Sequence, residues 1–417
     1  MENPDVHEEK PLPAENPATD PSAPEPGAAA DRDYDVVILG ATGFTGELTA
    51  AYLAEHAPAD LRWALAGRNR GKLESVRARL AKIDPALTEL PLLEADSSDD
   101  VSLRAMAEST RVVVTTVGPY LQFGEPLVAA CATAGTDYVD LTGEPEFVDR
   151  MYLEHNDRAV ASGARIVHAC GFDSIPHDIG AYYTVQQLGP DHPIKLRGVV
   201  RAGAMASGGT FHSAMGAISR AKQMRQAMLA RRKKEGRPEG RKSRAVAGKP
   251  HRDKSLGFWL LPMPTIDPFV VARSGAALES YGPDFRYSHY AGLKTLRYTV
   301  GGVAAVSGLA VAAQIKPLRN FLKSRIKQGD GPSEARRASS WFTVDFVGES
   351  AGKTVHTRVS GGDPGYTETA KMLAESALCL ALDDNPKTSG QVTTATAMAE
   401  NLLARLQKAG MKFETVA

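Results

Sequence analysis

Cysteine is scarce in this chain. Only Cys131, Cys170 and Cys379 occur in 417 residues. Their wide spacing offers neither a disulfide framework nor a metal-ligand pattern, so no metal is assigned and a reducing, cytoplasmic setting is expected. Net charge is absent as well, with 49 Lys and Arg against 49 Asp and Glu. With 43% hydrophobic residues, the composition is that of an ordinary globular protein, long enough for two or three domains. The N-terminus lacks a basic region followed by an apolar one, so no secretory signal is read there. Residues 1–32 are rich in Pro, Ala and acids and almost devoid of large apolar groups. Such a stretch cannot bury enough surface to offset its ordering entropy and reads as a disordered acidic tail.

What is present is organised around residues 34–46, YDVVILGATGFTG. The apolar run 36–39 suits a parallel strand buried on both faces. Gly40, Gly43 and Gly46 follow, and 47–55 reads as a helix. Strand, glycine turn and helix together are the context of a dinucleotide site. Gly40 permits the tight turn, Gly43 lets the backbone approach a pyrophosphate, and Gly46 lets the helix pack on the strand. Thr42 and Phe44, between the glycines, are counted with the cofactor site. The helix N-terminus then offers free N–H groups to the phosphates.

A second absence refines the cofactor. An NAD-binding fold carries Asp or Glu after the second strand, to accept from the ribose 2′-hydroxyl. Here the strand 61–66 is followed by Gly67, Arg68, Asn69 and Arg70, with no carboxylate. Arg68 can grip a 2′-phosphate through charge-assisted bonds, which points to NADP, with Asn69 beside it. A third strand, 90–95, ends in Asp96 at the expected adenine end. A fourth, 111–117, ends in Gly118, Pro119 and Tyr120, beside the expected nicotinamide. Strands at 138–141 and 164–169 complete a Rossmann-type doubly wound parallel sheet over 33–175. Beyond it, strands at 194–202, 341–348 and 354–360 and helices at 366–382 and 393–409 suggest an α+β substrate domain, 176–417.

Several stretches carry a family resemblance: GATGFTG, AGRN, VGPY with GEPLVAAC, DYVDLTGE and CGFDSIPHDIG, then SGGTFHSAM, YGPDFRY and GGDPGYTETAKML. Together they resemble the saccharopine dehydrogenase-like oxidoreductases, and within them the trans-acting enoyl reductases of actinobacterial polyketide and lipid synthesis. The resemblance implies NADPH binding, a separate substrate domain, and reduction of an enoyl double bond on an acyl or polyketide-derived chain. Two other readings stand beside it: carbonyl or imine reduction on a smaller substrate, and a non-catalytic NADP-binding protein of lipid surfaces. No arginine cluster is placed to clamp a dicarboxylic amino acid.

For the chemistry, Asp173 and His177 after the sixth strand, with Tyr120, are the catalytic candidates, and Cys170 and Ser174 lie beside them. Asp173 as a helix cap and His177 as a structural histidine are equally open. Tyr290 and Lys294 have the Tyr-x-x-x-Lys spacing of short-chain reductases but lie outside the nucleotide domain. Two insertions remain. Residues 220–254 hold fourteen Lys or Arg against three acids. They read as a patch for an acyl-carrier domain or an anionic membrane surface rather than nucleic acid, because no aromatics interleave the charges. Residues 298–315 are uncharged but poor in large apolar side chains. That suits peripheral docking, or one wall of an acyl tunnel, better than a membrane span. Localisation is then cytoplasmic, peripheral at the inner membrane face. Oligomeric state is left open.

Overall fold

The protein is described here by a computed structural model. It covers residues 32–203, 215–216, 218–236, 238–325 and 331–416. The tail to residue 31 and most of SGGTFHSAM, including the turn at Gly208 to Thr210, lie outside the described residues.

The strands in chain order are β1 (Tyr34–Leu39), β2 (Trp63–Gly67), β3 (Leu92–Glu94), β4 (Thr110–Thr115), β5 (Asp137–Asp140), β6 (Arg165–Val167), β7 (Ile194–Ala202) and β8 (Lys242–Ala245). They continue with β9 (His251–Arg252), β10 (Trp259–Pro262), β11 (Asp284–Leu293), β12 (Phe342–Ser350), β13 (Lys353–Gly361), β14 (Gly390–Val392) and β15 (Lys412–Val416). The first sheet has the order β14-β6-β5-β4-β1-β2-β3. All its pairs are parallel. The apolar runs dictate this: Val36, Val37 and Ile38 of β1 and Val112, Val113 and Val114 of β4 are fully buried, as strands covered by helices on both faces must be. The crossover from β1 to β2 is the helix Phe44–His56, which begins three residues earlier than the sequence pattern suggests.

The second sheet is mixed, in the order β15-β13-β12-β7-β11-β10-β9, with β8 beside β11. Its central pair, β7 and β11, is parallel, and β12 runs antiparallel to β7. Phe285, Tyr287 and His289 of β11 are buried on one face. The helices Ile175–Val185 and Asp267–Ala277 pack on each other and on this second sheet, the first on β12 and β13 and the second on β8 and β11. Asp178 staples them together. Its carboxylate accepts from Ser274 Oγ at 2.6 Å, Thr394 Oγ1 at 2.7 Å and Ala395 N at 2.9 Å.

The chain then returns to its beginning. The helix Thr367–Leu382, buried along most of its length, packs on the helix Phe44–His56 and on β1, β4 and β5. Next, β14 adds a seventh strand beside β6. A division at residue 175 therefore leaves this returning segment on the sheet of the first part.

The insertions take distinct forms. Helix Ala221–Glu235 lies along the helix Pro145–Ser162. The run Arg231 to Lys234 is not the uniform solvated patch its composition suggests. Arg231 is only 3% exposed and meets Asp149 at 3.4 Å, Glu235 at 3.0 Å and the Tyr152 ring at 4.2 Å. Lys234 pairs with Asp157 at 2.8 Å. Arg232 and Lys233 alone of the four remain outward and unpaired among the described residues. Residues 298–315 fall almost wholly in the helix Leu296–Gln314, followed directly by the helix Lys316–Arg325. Among the described residues, no helix is long and apolar enough to cross a membrane.

Candidate functional site

The glycine turn does what its spacing asks. Gly40 has φ +88°, and an added Cβ would strike Thr116 and Val117 at 2.8 Å. At Gly46 a Cβ would lie 2.2 Å from Gly40 O, so only glycine lets the helix rest on the turn. Gly43 differs: its φ is −84° and the nearest atom to an added Cβ is 3.4 Å away. Nothing within the protein requires glycine there, and the residue is exposed. An exposed glycine without an internal reason is what close backbone approach by a ligand predicts. Glu47 N bonds Gly43 O at 2.8 Å, which leaves the N–H groups of the first turn directed outward. Thr42 is exposed beside them. Phe44 is held edge-on to Tyr366 at 5.0 Å, and the Arg337 guanidinium stands 5.4 Å from its ring centre. The second part of the chain thus reaches over the turn.

At the end of β2 the Arg68 side chain is exposed and makes no hydrogen bond among the described residues. Its charge is felt by Asp96, whose carboxyl is held below the usual range first by hydrogen bonds from Ser98 and then by Arg68. Asp96 closes the turn after β3, accepting from Ser98 N at 2.9 Å. Asn69 caps the next helix, accepting from Lys72 N at 2.9 Å. Its amide NH₂ is the part left for a ligand. These residues fit NADP: a glycine cradle with outward N–H groups, and an unengaged guanidinium where NAD-binding folds place an acid.

The nicotinamide end requires one correction. Gly118 and Pro119 lie at the crest after β4, but Tyr120 turns its phenol inward. Its hydroxyl donates to Thr115 O and accepts from Leu141 N, both at 3.1 Å. Burial, then the Asp140 charge, pushes that phenol well above its ordinary range. Tyr120 ties β4 to β5 and presents no proton to the crevice. Cys170 is likewise fully buried, its thiol pushed up by burial and Asp140.

Asp173 and His177 do come together, with two residues the sequence left unremarked. His177, in the first turn of helix Ile175–Val185, places Nδ1 3.0 Å from Asp267 Oδ1. On the other side of Asp267, His289 Nε2 lies 3.6 Å from Oδ2. The two imidazoles meet edge to face at 5.0 Å, and Tyr287 Oη lies 3.0 Å from His289 Nδ1. Burial alone would raise Asp267, but His177 and then His289 hold it well below the carboxylate range. Burial alone would lower His177, but the Asp267 carboxylate raises it. Burial, helped by the His177 charge, lowers His289 to about 3, so this imidazole is neutral. Half-buried Asp173 sits above the turn after β5, its Oδ2 3.5 Å from where a Gly143 side chain would begin. Burial, then repulsion from Asp267, pushes its carboxyl up to about 7. The result is an acid at the crest that keeps its proton up to about pH 7, beside an imidazole whose protonated form a buried carboxylate favours. Asp267 opens a helix within a stretch without motif, and His289 lies just beyond YGPDFRY. Only the packing of β11 against Asp267–Ala277 unites them. Tyr290, next in β11, faces the opposite side and packs with Val199 and Leu260, away from the crest.

The parallel sheet, glycine turn and exposed arginine define an NADP-dependent oxidoreductase. Residues 36–167 match the family model described as the saccharopine dehydrogenase NADP binding domain. The chain belongs to the trans-acting enoyl reductase family. The trans-acting enoyl reductase of Mycobacterium tuberculosis is 36% identical over 93% of this chain and 98% of its own. That of Mycobacterium leprae is 36% identical over 92% and 98%. A further Mycobacterium tuberculosis protein, provisionally given the same name, is 38% identical over 93% and 98%. Among solved structures, the apo saccharopine dehydrogenase (L-Glu forming) of Saccharomyces cerevisiae shares the fold, with TM-score 0.54 at 13% identity over 92% of this chain and 100% of that one.

Proposed function

We propose that this protein reduces the carbon–carbon double bond of an enoyl group on an acyl or polyketide-derived substrate delivered from elsewhere, on a carrier domain or at the cytoplasmic face of an anionic membrane. NADPH, held by Gly40, Gly43, Gly46 and Arg68, supplies a hydride from its nicotinamide ring. Saturating an enoyl bond also takes one proton, which the protein must hold at the crest. Asp173 is the donor: its carboxyl keeps the proton up to about pH 7. When Asp173 gives that proton to the substrate carbon, its new negative charge faces the His177 imidazolium. Asp267 keeps that imidazolium charged and oriented. His289, neutral and held by Tyr287, packs against the pair and excludes water. Phe172 stacks edge-on to His177 at 5.4 Å and to Phe342 at 5.0 Å, walling the crest with apolar surface suited to a hydrocarbon chain.

The observation that carries this reading is the position of Asp173 with His177 and Asp267: a proton-bearing pair on the same edge of the sheet as the dinucleotide turn. The test is NADPH consumption with an enoyl thioester, by wild type and by Asp173→Asn. Wild type should turn over, and the variant should lose about 10²–10⁴-fold in kcat with unchanged NADPH affinity. Consumption with carbonyl or imine substrates but not with enoyl thioesters would overturn the reading.

A further inference from the structure

We infer that Arg337, from the second part of the chain, completes the cofactor site by setting its guanidinium against the NADP pyrophosphate. The inference needs NADP binding at the glycine turn but not the enoyl reading. It starts from a charge that the turn leaves unmet. Residues 40–46, GATGFTG, contain neither Lys nor Arg. The free amides at one helix N-terminus amount to about half a positive charge, whereas a dinucleotide pyrophosphate is doubly negative. Arg68 lies at the end of β2, where the ribose 2′-phosphate is expected, and so serves the other end of the cofactor. Arg79 reaches the helix Phe44–His56, but Glu47 holds it, with Nη2 2.9 Å from Oε2.

Arg337 supplies the missing charge. It sits in the short helix Glu334–Ala338, just before β12. Its guanidinium carbon lies 5.4 Å from the ring centre of Phe44. Phe44 directly follows Gly43 and is the first residue of the helix on which the phosphates rest. Arg337 Nη1 donates to Pro332 O at 2.9 Å, which fixes the direction of the fork. No acid pairs with Arg337 among the described residues, so Nε and Nη2 stay available. Close packing holds this contact. Gly331 lies so near that a Cβ added there would be 2.1 Å from the Phe44 ring. The Phe44 and Tyr366 rings stand edge to face at 5.0 Å. Arg337 is half-buried against this cluster, whereas Glu334, Ala335 and Ala338 of the same helix are exposed. A guanidinium beside an aromatic ring keeps its charge and its planar donor fork, so little freedom remains to be lost when an anion arrives. Phosphate is the chemistry this fork fits, through paired charge-assisted bonds.

The test is calorimetric titration of the full chain with NADPH and with adenosine 2′-monophosphate, which has the 2′-phosphate but no pyrophosphate. Arg337→Gln should weaken NADPH binding about ten- to hundredfold and leave adenosine 2′-monophosphate within about twofold of wild type. Arg68→Ala should weaken both ligands. Arg337→Lys, which keeps the charge and loses the fork, should recover part of the NADPH affinity. Without cofactor, Arg337→Gln should melt within about 2 °C of wild type, since no ion pair is lost. Unchanged NADPH affinity in Arg337→Gln, equal losses for the two ligands, or no recovery by Arg337→Lys would each overturn the assignment. A chain that binds NADPH in this way but reduces no enoyl thioester would instead remove the proposed activity and leave Arg337 in its role.

Discussion

Each functional residue is constrained by its own stereochemistry and surroundings. Among the described residues no hydrogen-bond partner satisfies the Arg68 guanidinium, so its contribution should appear only when a 2′-phosphate is present. Arg68→Ala should weaken NADPH binding by about 1.5–3 kcal/mol, the range for a charged hydrogen-bonded contact, and leave NADH binding unchanged. Fluorescence titration with both cofactors checks this, and equal losses for both would refute it. A Cβ added at Gly43 would make only an ordinary contact with Gly40 O at 3.4 Å, on a φ that any residue adopts. Gly43→Val should therefore melt like wild type while losing NADPH binding altogether. Asp173 links site and stability. Its folded value of about 7 lies above the unfolded 3.8, so the native state retains a proton that the unfolded chain has released. Its stabilising contribution is thus full below about pH 4 and is lost as pH rises towards 7. Activity should follow the same ionisation, with kcat/KM falling on the alkaline side of about pH 7, and Asp173→Asn should flatten both profiles. Tyr120 shows where residue-level reading stops. Its place after β4 is legible in the sequence, but the direction of its ring is set by Thr115 O and Leu141 N, groups from two different strands.

At the level of elements, legibility followed burial. The strands β1 and β4 announce themselves because burial on both faces demands an unbroken apolar run. The strand β14 does not, because Gly390–Val392 is too short for any period and is held by its neighbour β6. The Asp267 and His289 half of the site was hidden for a related reason: a helix start and a strand far apart in sequence meet only through packing. Composition did not show which charges of the basic run are paired within the protein, because it counts charges and not partners. Arg231 and Asp149 are both nearly inaccessible, and removing one partner of such a pair costs about 3–5 kcal/mol. Arg231→Ala should therefore lower the midpoint of chemical unfolding sharply, whereas Arg232→Gln with Lys233→Gln should leave it within about 0.5 kcal/mol of wild type. Similar losses in both would mean that helix Ala221–Glu235 is not anchored through Arg231.

For the whole molecule, the nucleotide sheet and the C-terminal segment form one cooperative body. The helix Thr367–Leu382 covers β1, β4 and β5, and Phe172 N donates to Thr369 Oγ1 at 3.1 Å, so the crest itself leans on this helix. A chain ending at residue 363 should lose NADPH binding even though it keeps the glycine turn and Arg68. Retention of normal affinity by that truncated chain would show the first part to be independent. The same closure has a meaning during synthesis. On a ribosome adding about 5–20 residues per second, the partner of β6 emerges on the order of ten seconds or more after β6 itself. Throughout that interval the nascent sheet has an open edge at Arg165–Val167, a template for any other exposed strand. Arg165 sits on that edge, its side chain held by Asp137 at 3.0 Å. A charge at the rim of an unfinished sheet disfavours pairing with a stranger, so one ion pair that looks merely structural in the finished protein also guards it while it is being made.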